Sequence, residues 1–168
     1  MSYRIGQGYD VHPLKPGLSL TLGGVTIPHN KGIEAHSDGD ILIHAIIDAI
    51  LGAYHLGDIG KLFPNNSQTH NISGLSMLDS IKRKLDNLLP FDGDNYFSIQ
   101  NIDATIVLQT PKLSPHIRLM EQNICKSLGL QYGNVSIKAT TTDYLGFIGQ
   151  EEGIACLAVC LICKREKT

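Results

Sequence analysis

The stretch SDGDILIHAIIDAILGAYHLGDIG, residues 37–60, carries the strongest structural signal in this chain of 168 residues. Its side chains are apolar almost all the way round a helix, which is typical of a helix buried inside a core. Ser37 followed by Asp40 comes close to the capping box that begins many helices, and Gly57 fits the glycine that ends them. The stretch therefore predicts a buried helix from about Ser37 to Gly57.

The rest of the chain shows strand and helix patterns in a mixed order. Strands are predicted in SYRIGQGYDV (2–11), FSIQNIDATIVLQT (97–110), NVSIKATTT (134–142) and GIACLAVCLIC (153–163), with a hairpin in LSLTLGGVTI (18–27). Helices are predicted in SGLSMLDSIKRKLDNLL (73–89) and from the cap Ser114 to Gly129. The polar segment 65–73 is expected to form a loop or lid. We expect one α+β domain over residues 1–168, a two-layer sandwich in which helices cover a mixed β-sheet.

The composition narrows the class of function. The chain is 42% hydrophobic and 18% charged, and its formal net charge of −2 offers no basic field for nucleic acid or a membrane surface. No apolar run approaches the ~20 residues that cross a bilayer. The N-terminal residues MSYRIGQGYD lack the pattern of a signal or transit peptide. We therefore expect a cytoplasmic protein that holds any anionic ligand with a local group of side chains.

Two of the four cysteines, Cys160 and Cys163, form a C-x-x-C pair. Such a pair is compatible with redox or zinc chemistry. It lies inside an unbroken apolar run, however, and a spacing of three places the two thiols on opposite faces of a strand. The pattern favours buried thiols that act as small hydrophobic side chains.

Four polar residues interrupt the apolar helix, and they share one side of it. Asp40, His44, Asp48 and His55 fall within about 80° of arc at the helical repeat. Buried polar groups need partners, because each unpaired one costs about 1–3 kcal/mol. The stripe either forms an internal hydrogen-bond network, with or without water, or supplies a ligand to a metal ion.

The motif GYDVHP, residues 8–13, contains two further residue types that bind metal ions. Asp10 and His12 point the same way from an extended strand, because side chains alternate with a period of two. Two histidines, one carboxylate and an open position are a common ligand set of catalytic zinc. A histidine of the helix could therefore complete a zinc site with Asp10 and His12, if the two elements meet.

His36 and Ser37 precede the helix, where free N–H groups and the helix dipole favour an anion. A phosphate bound there beside a metal ion would form a coherent site. Simple N-capping by Ser37 is the alternative, and both roles can hold together.

Four blocks carry a resemblance to a known family. RIGQGYDVHPL (4–14), EAHSDGDILIHAIIDAILGAYHLGDIGKLFP (34–64), QTPKLSPHI (109–117) and VSIKATTTDYLGFIGQEEGIA (135–155) resemble the 2-C-methyl-D-erythritol 2,4-cyclodiphosphate synthase family of the non-mevalonate isoprenoid pathway. The blocks occur in the family's order and span nearly the whole chain. Some bacterial members are fused to a cytidylyltransferase domain, and this chain of 168 residues is expected to be monofunctional.

The resemblance implies a phosphorus–oxygen lyase. Its substrate would be 4-diphosphocytidyl-2-C-methyl-D-erythritol 2-phosphate, whose 2-phosphate attacks the β-phosphorus, releases CMP and closes a cyclic diphosphate. It also implies a homotrimer with active sites between subunits. The implied cofactors are one zinc ion per subunit and a magnesium or manganese ion on the substrate's diphosphate.

The resemblance also implies a role for individual residues. The zinc ligands would be Asp10, His12 and His44, Asp143 would hold the second metal, and His36 and Thr141 would act on the reacting phosphates. The substrate would further contact Ser37, Asp58, Ile59, Gly60, Phe63, Pro64, Asn65, Asn66, Ser67, Leu108, Gln109, Thr110, Pro111, Lys112, Leu113, Ser114, Thr140, Thr142, Phe147 and Gln150. The loop from Leu108 to Ser114 would hold its cytidine arm, with Thr140 and Thr141 beside it.

The chain departs from the family pattern at two positions. Asp143 stands where the family usually has a glutamate, so the carboxylate that would reach the second metal is one methylene shorter. Gln150 stands where many members have an arginine that binds diphosphate in a cavity on the trimer axis, beside a glutamate matched here by Glu152. The second departure weakens the expectation of an isoprenoid diphosphate in that cavity.

Two other functions stay open on the sequence alone. A zinc-dependent nucleotide-diphosphate hydrolase would share the metal ligands but would use water as nucleophile and give linear products. A trimer that only binds a ligand is the second alternative, because Gln150 replaces the arginine.

Overall fold

The computed structural model describes residues 2–35, 38–64, 72–87 and 95–166. Five predicted site residues, His36, Ser37, Asn65, Asn66 and Ser67, lie outside the described residues, as does most of the predicted loop 65–73. In chain order the elements are β1 (Tyr3–Pro16), β2 (Leu20–Leu22), β3 (Val25–Ile27), β4 (Lys31–Ile33), α1 (Ile41–Tyr54), α2 (Ile59–Leu62), α3 (Gly74–Asn87), β5 (Asn95–Val107), α4 (Ile117–Leu128), β6 (Val135–Thr140), α5 (Gly146–Gly149) and β7 (Gly153–Glu166).

The main sheet has five strands in the order β4-β1-β7-β5-β6, and β2 and β3 form the separate predicted hairpin. Strands β5 and β6 run parallel, whereas β1 pairs with β4 and β7, and β7 with β5, in antiparallel fashion. This confirms the predicted mixed sheet. The long strands β1 and β7 lie next to each other and pair from Tyr3↔Cys163 to Pro13↔Gly153.

Helix α1 packs directly on β1 through two glycines. A Cβ on Gly8 would lie 1.9 Å from the carbonyl oxygen of Ala45, and one on Gly6 would lie 1.8 Å from that of Ala49. Only residues without a side chain allow the backbones to come this close. The contact buries nearly every residue of α1. It also places His44 of α1 beside Asp10 of β1.

On β1 and β7, the other face of the sheet carries apolar side chains that are exposed in the single chain. Ile5 is 70% exposed, Tyr9 54% and Val159 42%, and all three point away from α1 because their neighbours in the strands point toward it. Contiguous exposed apolar surface of this kind marks an interaction surface in soluble proteins.

The structure corrects three predicted helix ends. Helix α1 begins at Ile41, not near Ser37, because Gly39 has a left-handed φ of 72° and Asp40 is the N-cap that accepts a hydrogen bond from the Ile43 N–H. The helix ends in a left-handed residue at His55, before Gly57. Helix α4 begins at Ile117, with His116 rather than Ser114 at the N-cap position.

Other predictions are confirmed. Cys125, Cys156, Cys160 and Cys163 are buried thiols without disulfide partners, and burial raises the pKa of Cys160 to about 12. The short elements β4, α2 and α5 were not predicted, because three or four residues are too few to show a periodicity. Within the described residues, no helix is both long and apolar enough to cross a membrane.

Candidate active site

Strand β1 and helix α1 bring together the three predicted zinc ligands. Asp10 and His12 point toward the helix side of the sheet, and His44 faces them from the first turn of α1. His44 Nδ1 lies 3.0 Å from Asp10 Oδ2, and His12 Nε2 lies 3.4 Å from Asp10 Oδ1. One ligand atom of each residue lies within 4.8 Å of the other two. We call these three residues the triad.

The donor set of the triad fits a zinc ion. Ligand atoms of tetrahedral zinc lie about 3.3 Å from one another when each lies ~2.0 Å from the metal. His12 Nδ1 is 3.1 Å from the carbonyl oxygen of Glu34, and a carbonyl can only accept, so this nitrogen carries the proton. A neutral His12 ring therefore has its lone pair on Nε2, which faces Asp10, whereas a protonated ring donates from Nε2 to the Asp10 carboxylate. A backbone carbonyl that fixes a ligand histidine in this way is common in zinc sites.

Within the triad, Asp10 and His12 each shift the other's pKa toward the charged form. Burial alone would raise the pKa of Asp10, but the hydrogen bonds and charges of His12 and His44 outweigh it and lower that pKa to about 2. The hydrogen bond to Asp10 in turn raises the pKa of His12. The carboxylate is thus ionised over the whole physiological range, as a metal ligand must be.

Of the four polar residues on α1, only His44 joins the triad. Asp40 caps the helix, and Asp48 Oδ1 accepts a hydrogen bond of 2.7 Å from the Ile59 N–H at the start of α2. His55 ends the helix in the left-handed conformation. Asp48 therefore holds the segment that contains the predicted substrate residues Asp58, Ile59 and Gly60, and the stripe divides into one member of the triad and three structural anchors.

A second group of predicted residues surrounds a cavity of about 200 Å³ at the ends of β5 and β6. Its lining contains Leu108, Gln109, Pro111, Lys112, Leu113, Ser114, Ile117, Ala139, Thr140 and Thr141. The cis peptide bond between Thr110 and Pro111 lies in the same loop. The structure thus brings together the loop and the threonines that were predicted to hold the cytidine arm.

The residues that follow this cavity form a tight turn. Leu145 N–H donates to the carbonyl of Thr142 at 2.9 Å, and the central residues Asp143 and Tyr144 have φ values of 50° and 64°. Two left-handed central residues define a type I′ turn. Asp143 is exposed there, where its carboxylate can meet a ligand, and we call residues 142–145 the Asp143 turn.

The triad and the cavity lie at the same end of the sheet but on different strands. His12 pairs with Ile154 of β7, and the next residue of β7, Ala155, pairs with Val107 at the end of β5. Strand β7 separates β1 from β5, and β6 lies beyond β5, so the cavity at the ends of β5 and β6 lies about 10–14 Å across the sheet from β1 at a strand spacing of ~4.8 Å. A single chain therefore carries two separate parts of the predicted site.

The remaining predicted residues occupy other positions. Phe63 follows α2, and Pro64 follows Phe63. Phe147 lies against Gly153 at the start of β7, and Gln150 ends the short helix α5. Neither Phe147 nor Gln150 lines the cavity.

Comparison with known proteins identifies the family. Residues 3–163 match the YgbB family. A 2-C-methyl-D-erythritol 2,4-cyclodiphosphate synthase from Marinobacter nauticus is 52% identical over 159 residues, which cover 95% of this chain and 96% of the relative. One from Clostridium botulinum is 51% identical over 160 residues, covering 95% and 99% of the two chains. The chain belongs to this synthase family.

Solved structures of the family share its fold. The bifunctional IspDF from Campylobacter jejuni matches with a TM-score of 0.86 and 37% identity over 98% of this chain, which spans 43% of the Campylobacter chain. An IspF–CDP complex from Plasmodium falciparum matches with a TM-score of 0.79 and 36% identity, covering 99% of this chain and 98% of the other. That relative binds a cytidine diphosphate.

Three structural contributors to the site were missed by the sequence reasoning. The carbonyl of Glu34 orients His12, yet a backbone carbonyl leaves no trace in the residue type. Gly6 and Gly8 bring α1 onto β1, and their spacing of two on one face of a strand was an available signal. In this structure, all three contribute to the geometry of the triad.

Proposed function

We propose that this protein converts 4-diphosphocytidyl-2-C-methyl-D-erythritol 2-phosphate to 2-C-methyl-D-erythritol 2,4-cyclodiphosphate and CMP, as a phosphorus–oxygen lyase. The observation that carries the proposal is the triad of Asp10, His12 and His44, whose donor atoms lie within 4.8 Å of one another. Membership of the synthase family and the cavity around the predicted cytidine loop support it.

The proposed reaction joins two anionic groups of one molecule. Bound divalent cations, zinc at the triad and magnesium or manganese at Asp143, would reduce the repulsion between the phosphates and stabilise the charge of the transition state. Holding both groups of one substrate in place supplies much of the rate through proximity. The attacking phosphate is ionised at pH 7, so the site needs no strong general base.

The chain's own residues would bind and orient the substrate. Lys112 is an exposed cation on the cavity wall and would hold the cytidine arm with its neighbours Leu108 to Ser114. Thr140 and Thr141 line the same cavity and would contact the diphosphate, with Thr142 beside them. Asp58, Ile59 and Gly60, held by Asp48, would contact the methylerythritol. His36 and Ser37 would contact the phosphates.

We further propose that the protein is a homotrimer with its active sites between subunits. The apolar face around Ile5, Tyr9 and Val159 is suited to burial against other copies. The separation of the triad from the cavity within one chain supports the same proposal, because a neighbour's cavity could complete the site at each triad. A cytoplasmic location stays a prediction.

Phosphorus NMR of the purified protein with this substrate tests the proposed reaction. We expect a cyclic diphosphate and one equivalent of CMP. His44→Ala should lower the rate by roughly 10³-fold and abolish stoichiometric zinc binding, because it removes one of three ligands. Full zinc occupancy in this variant would contradict the ligand assignment.

The same experiment separates the alternatives. Linear cleavage products without a cyclic species would show that water is the nucleophile and would favour a zinc-dependent hydrolase. Binding of the substrate without any CMP release would favour a trimer that only binds a ligand.

A further inference from the structure

The Asp143 turn holds a conformation that its sequence does not favour. Type I′ turns are built mostly from glycine, asparagine and aspartate at both central positions. Asp143 suits the first position, but Tyr144 occupies the second with a φ of 64°, where a side chain crowds the backbone. Contacts outside the two central residues must therefore hold the turn.

Several of these contacts come from nearby residues. Thr142 Oγ1 donates a hydrogen bond of 2.7 Å to the carbonyl of Leu145. The Gly149 N–H donates to the same carbonyl at 3.1 Å. A Cβ on Gly149 would lie 2.1 Å from the carbonyl carbon of Tyr144, so α5 packs tightly beneath the turn.

One contact comes from a distant segment. The Tyr144 N–H donates a hydrogen bond of 3.2 Å to Gln109 Oε1, across 35 positions of sequence. Gln109 also lines the cavity, and it follows Leu108, whose N–H donates to the carbonyl of Thr140 at 2.9 Å. The side chain of Gln109 thus links the wall of the cavity to the backbone of the turn that carries Asp143.

We propose that Gln109 is a positioning residue that couples the occupation of the cavity to the placement of the Asp143 carboxylate. A nucleotide in the cavity orders the loop of Gln109, and an ordered Gln109 stabilises the left-handed turn. A divalent cation that binds Asp143 then meets a carboxylate already in place, so nucleotide and cation bind with positive coupling. The coupling rests on the proposed function, because it takes CDP and a cation as the ligands.

Hydrogen exchange at the Tyr144 amide tests the link directly. In the zinc-loaded protein without nucleotide, Gln109→Met should speed exchange of this amide about fivefold, because one net hydrogen bond is lost. Added CDP should slow exchange several-fold in the wild type and should leave the Gln109→Met variant unchanged. Gln109→Glu keeps an acceptor and should restore slow exchange. Gln122→Met, at an exposed glutamine of α4, is the matched control and should change nothing.

Binding of Mn²⁺ in the presence of CDP, measured by electron paramagnetic resonance, tests the consequence. Gln109→Met should weaken Mn²⁺ binding about fivefold, in proportion to the lost hydrogen bond. Glycine at position 144 adopts the left-handed conformation without crowding. In a Tyr144→Gly background the effect of Gln109→Met should therefore fall below twofold, by the logic of a double-mutant cycle.

Three results would overturn the proposal. An unchanged Tyr144 exchange rate in Gln109→Met would show that the hydrogen bond does not hold the turn. Equal losses of Mn²⁺ affinity with and without Tyr144→Gly would show that Gln109 does not act through the turn. If CDP binds but does not slow hydrogen exchange at the Tyr144 amide, the coupling is wrong and the proposed function stands. If CDP does not bind, the proposed function is contradicted as well.

Discussion

The triad and the Asp143 turn present functional groups by opposite means. Asp10, His12 and His44 stand on a strand and a helix of 14 residues each, whose packing buries almost all of α1. Asp143 stands on an exposed turn held by single hydrogen bonds, two donated by Thr142 and Gly149 and one accepted by Gln109. The first region is fixed by the core of the fold, so damage to it should affect the whole protein. The second is fixed by local contacts, so it can be changed without loss of the fold.

The largest effect should come from a substitution at Gly8, which packs against α1 two residues before Asp10 in β1. Gly8→Ala would place a Cβ 1.9 Å from the carbonyl oxygen of Ala45, so α1 and β1 must separate. We expect a loss of about 4 kcal/mol or more in the free energy of unfolding, together with loss of zinc binding. Urea denaturation and metal analysis measure the two quantities.

Gly52 in the same helix provides the matched control. The nearest atom to a Cβ on Gly52 is the Cα of Gly6 at 3.7 Å, which is an ordinary contact. Alanine also favours the helix more than glycine does, so Gly52→Ala should be neutral or stabilise the protein by up to ~1 kcal/mol. If Gly8→Ala were as stable as Gly52→Ala, close packing of α1 on β1 would not be what forms the triad.

The triad could be predicted from the sequence more readily than the Asp143 turn, because its residues follow the periodicity of a strand and a helix. The alternation of strand side chains placed Asp10 and His12 together, and the stripe on α1 offered histidines to complete the set. The family resemblance then selected His44. The predicted start of α1 was wrong by a few residues, because the Asp38 and Asp40 carboxylates accept backbone N–H groups and fix the turn before Ile41.

The geometry around the Asp143 turn has no comparable periodicity. The hydrogen bond from Tyr144 to Gln109 joins a residue after β6 to one after β5, and only the parallel pairing of these strands brings them together. Sequence reasoning placed both residues in blocks of a known family. It had no means of showing that one supports the backbone of the other.

The next largest effect should come from mixed trimers, which combine subunits without an intact triad and subunits without the Asp143 carboxylate. His44→Ala removes the triad, and Asp143→Asn removes the exposed carboxylate while asparagine tolerates the left-handed backbone. If sites form between subunits, a mixed trimer in a three-membered ring contains one interface with both regions intact. Each variant alone should be nearly inactive, and mixed trimers should recover about one third of the wild-type rate of CMP release.

Co-expression with two different affinity tags and purification through both isolates these mixed trimers. In the control, two differently tagged copies of the same variant are co-expressed and purified through both tags. These trimers should stay inactive. Mixed trimers as inactive as these controls would mean that the triad and the Asp143 turn of the same chain act together. The contrast between the two regions would then lie within one subunit.

The smallest effect should come from the buried carboxylate of Asp40, which caps α1 one turn before His44. Asp40 is fully buried, and its two oxygens accept hydrogen bonds from the N–H groups of Gly23, Gly24 and Ile43. Burial outweighs these bonds and raises the pKa of Asp40 to about 6. A raised carboxyl pKa means that the folded state holds the proton more tightly than the unfolded state does. The contribution of Asp40 to stability should therefore fall as the pH rises from about 4 to about 6 and should stay constant above that range.

Asp40→Asn removes this titration and keeps the shape of the side chain. The difference in unfolding free energy between wild type and variant, from urea denaturation, should fall by about 2 kcal/mol between pH 4 and pH 7. Exchange of the Tyr144 amide should be the same in both proteins, because the turn rests on local contacts rather than on α1. Parallel stability curves would contradict the raised pKa, and a change at Tyr144 would show that the two regions are not independently held.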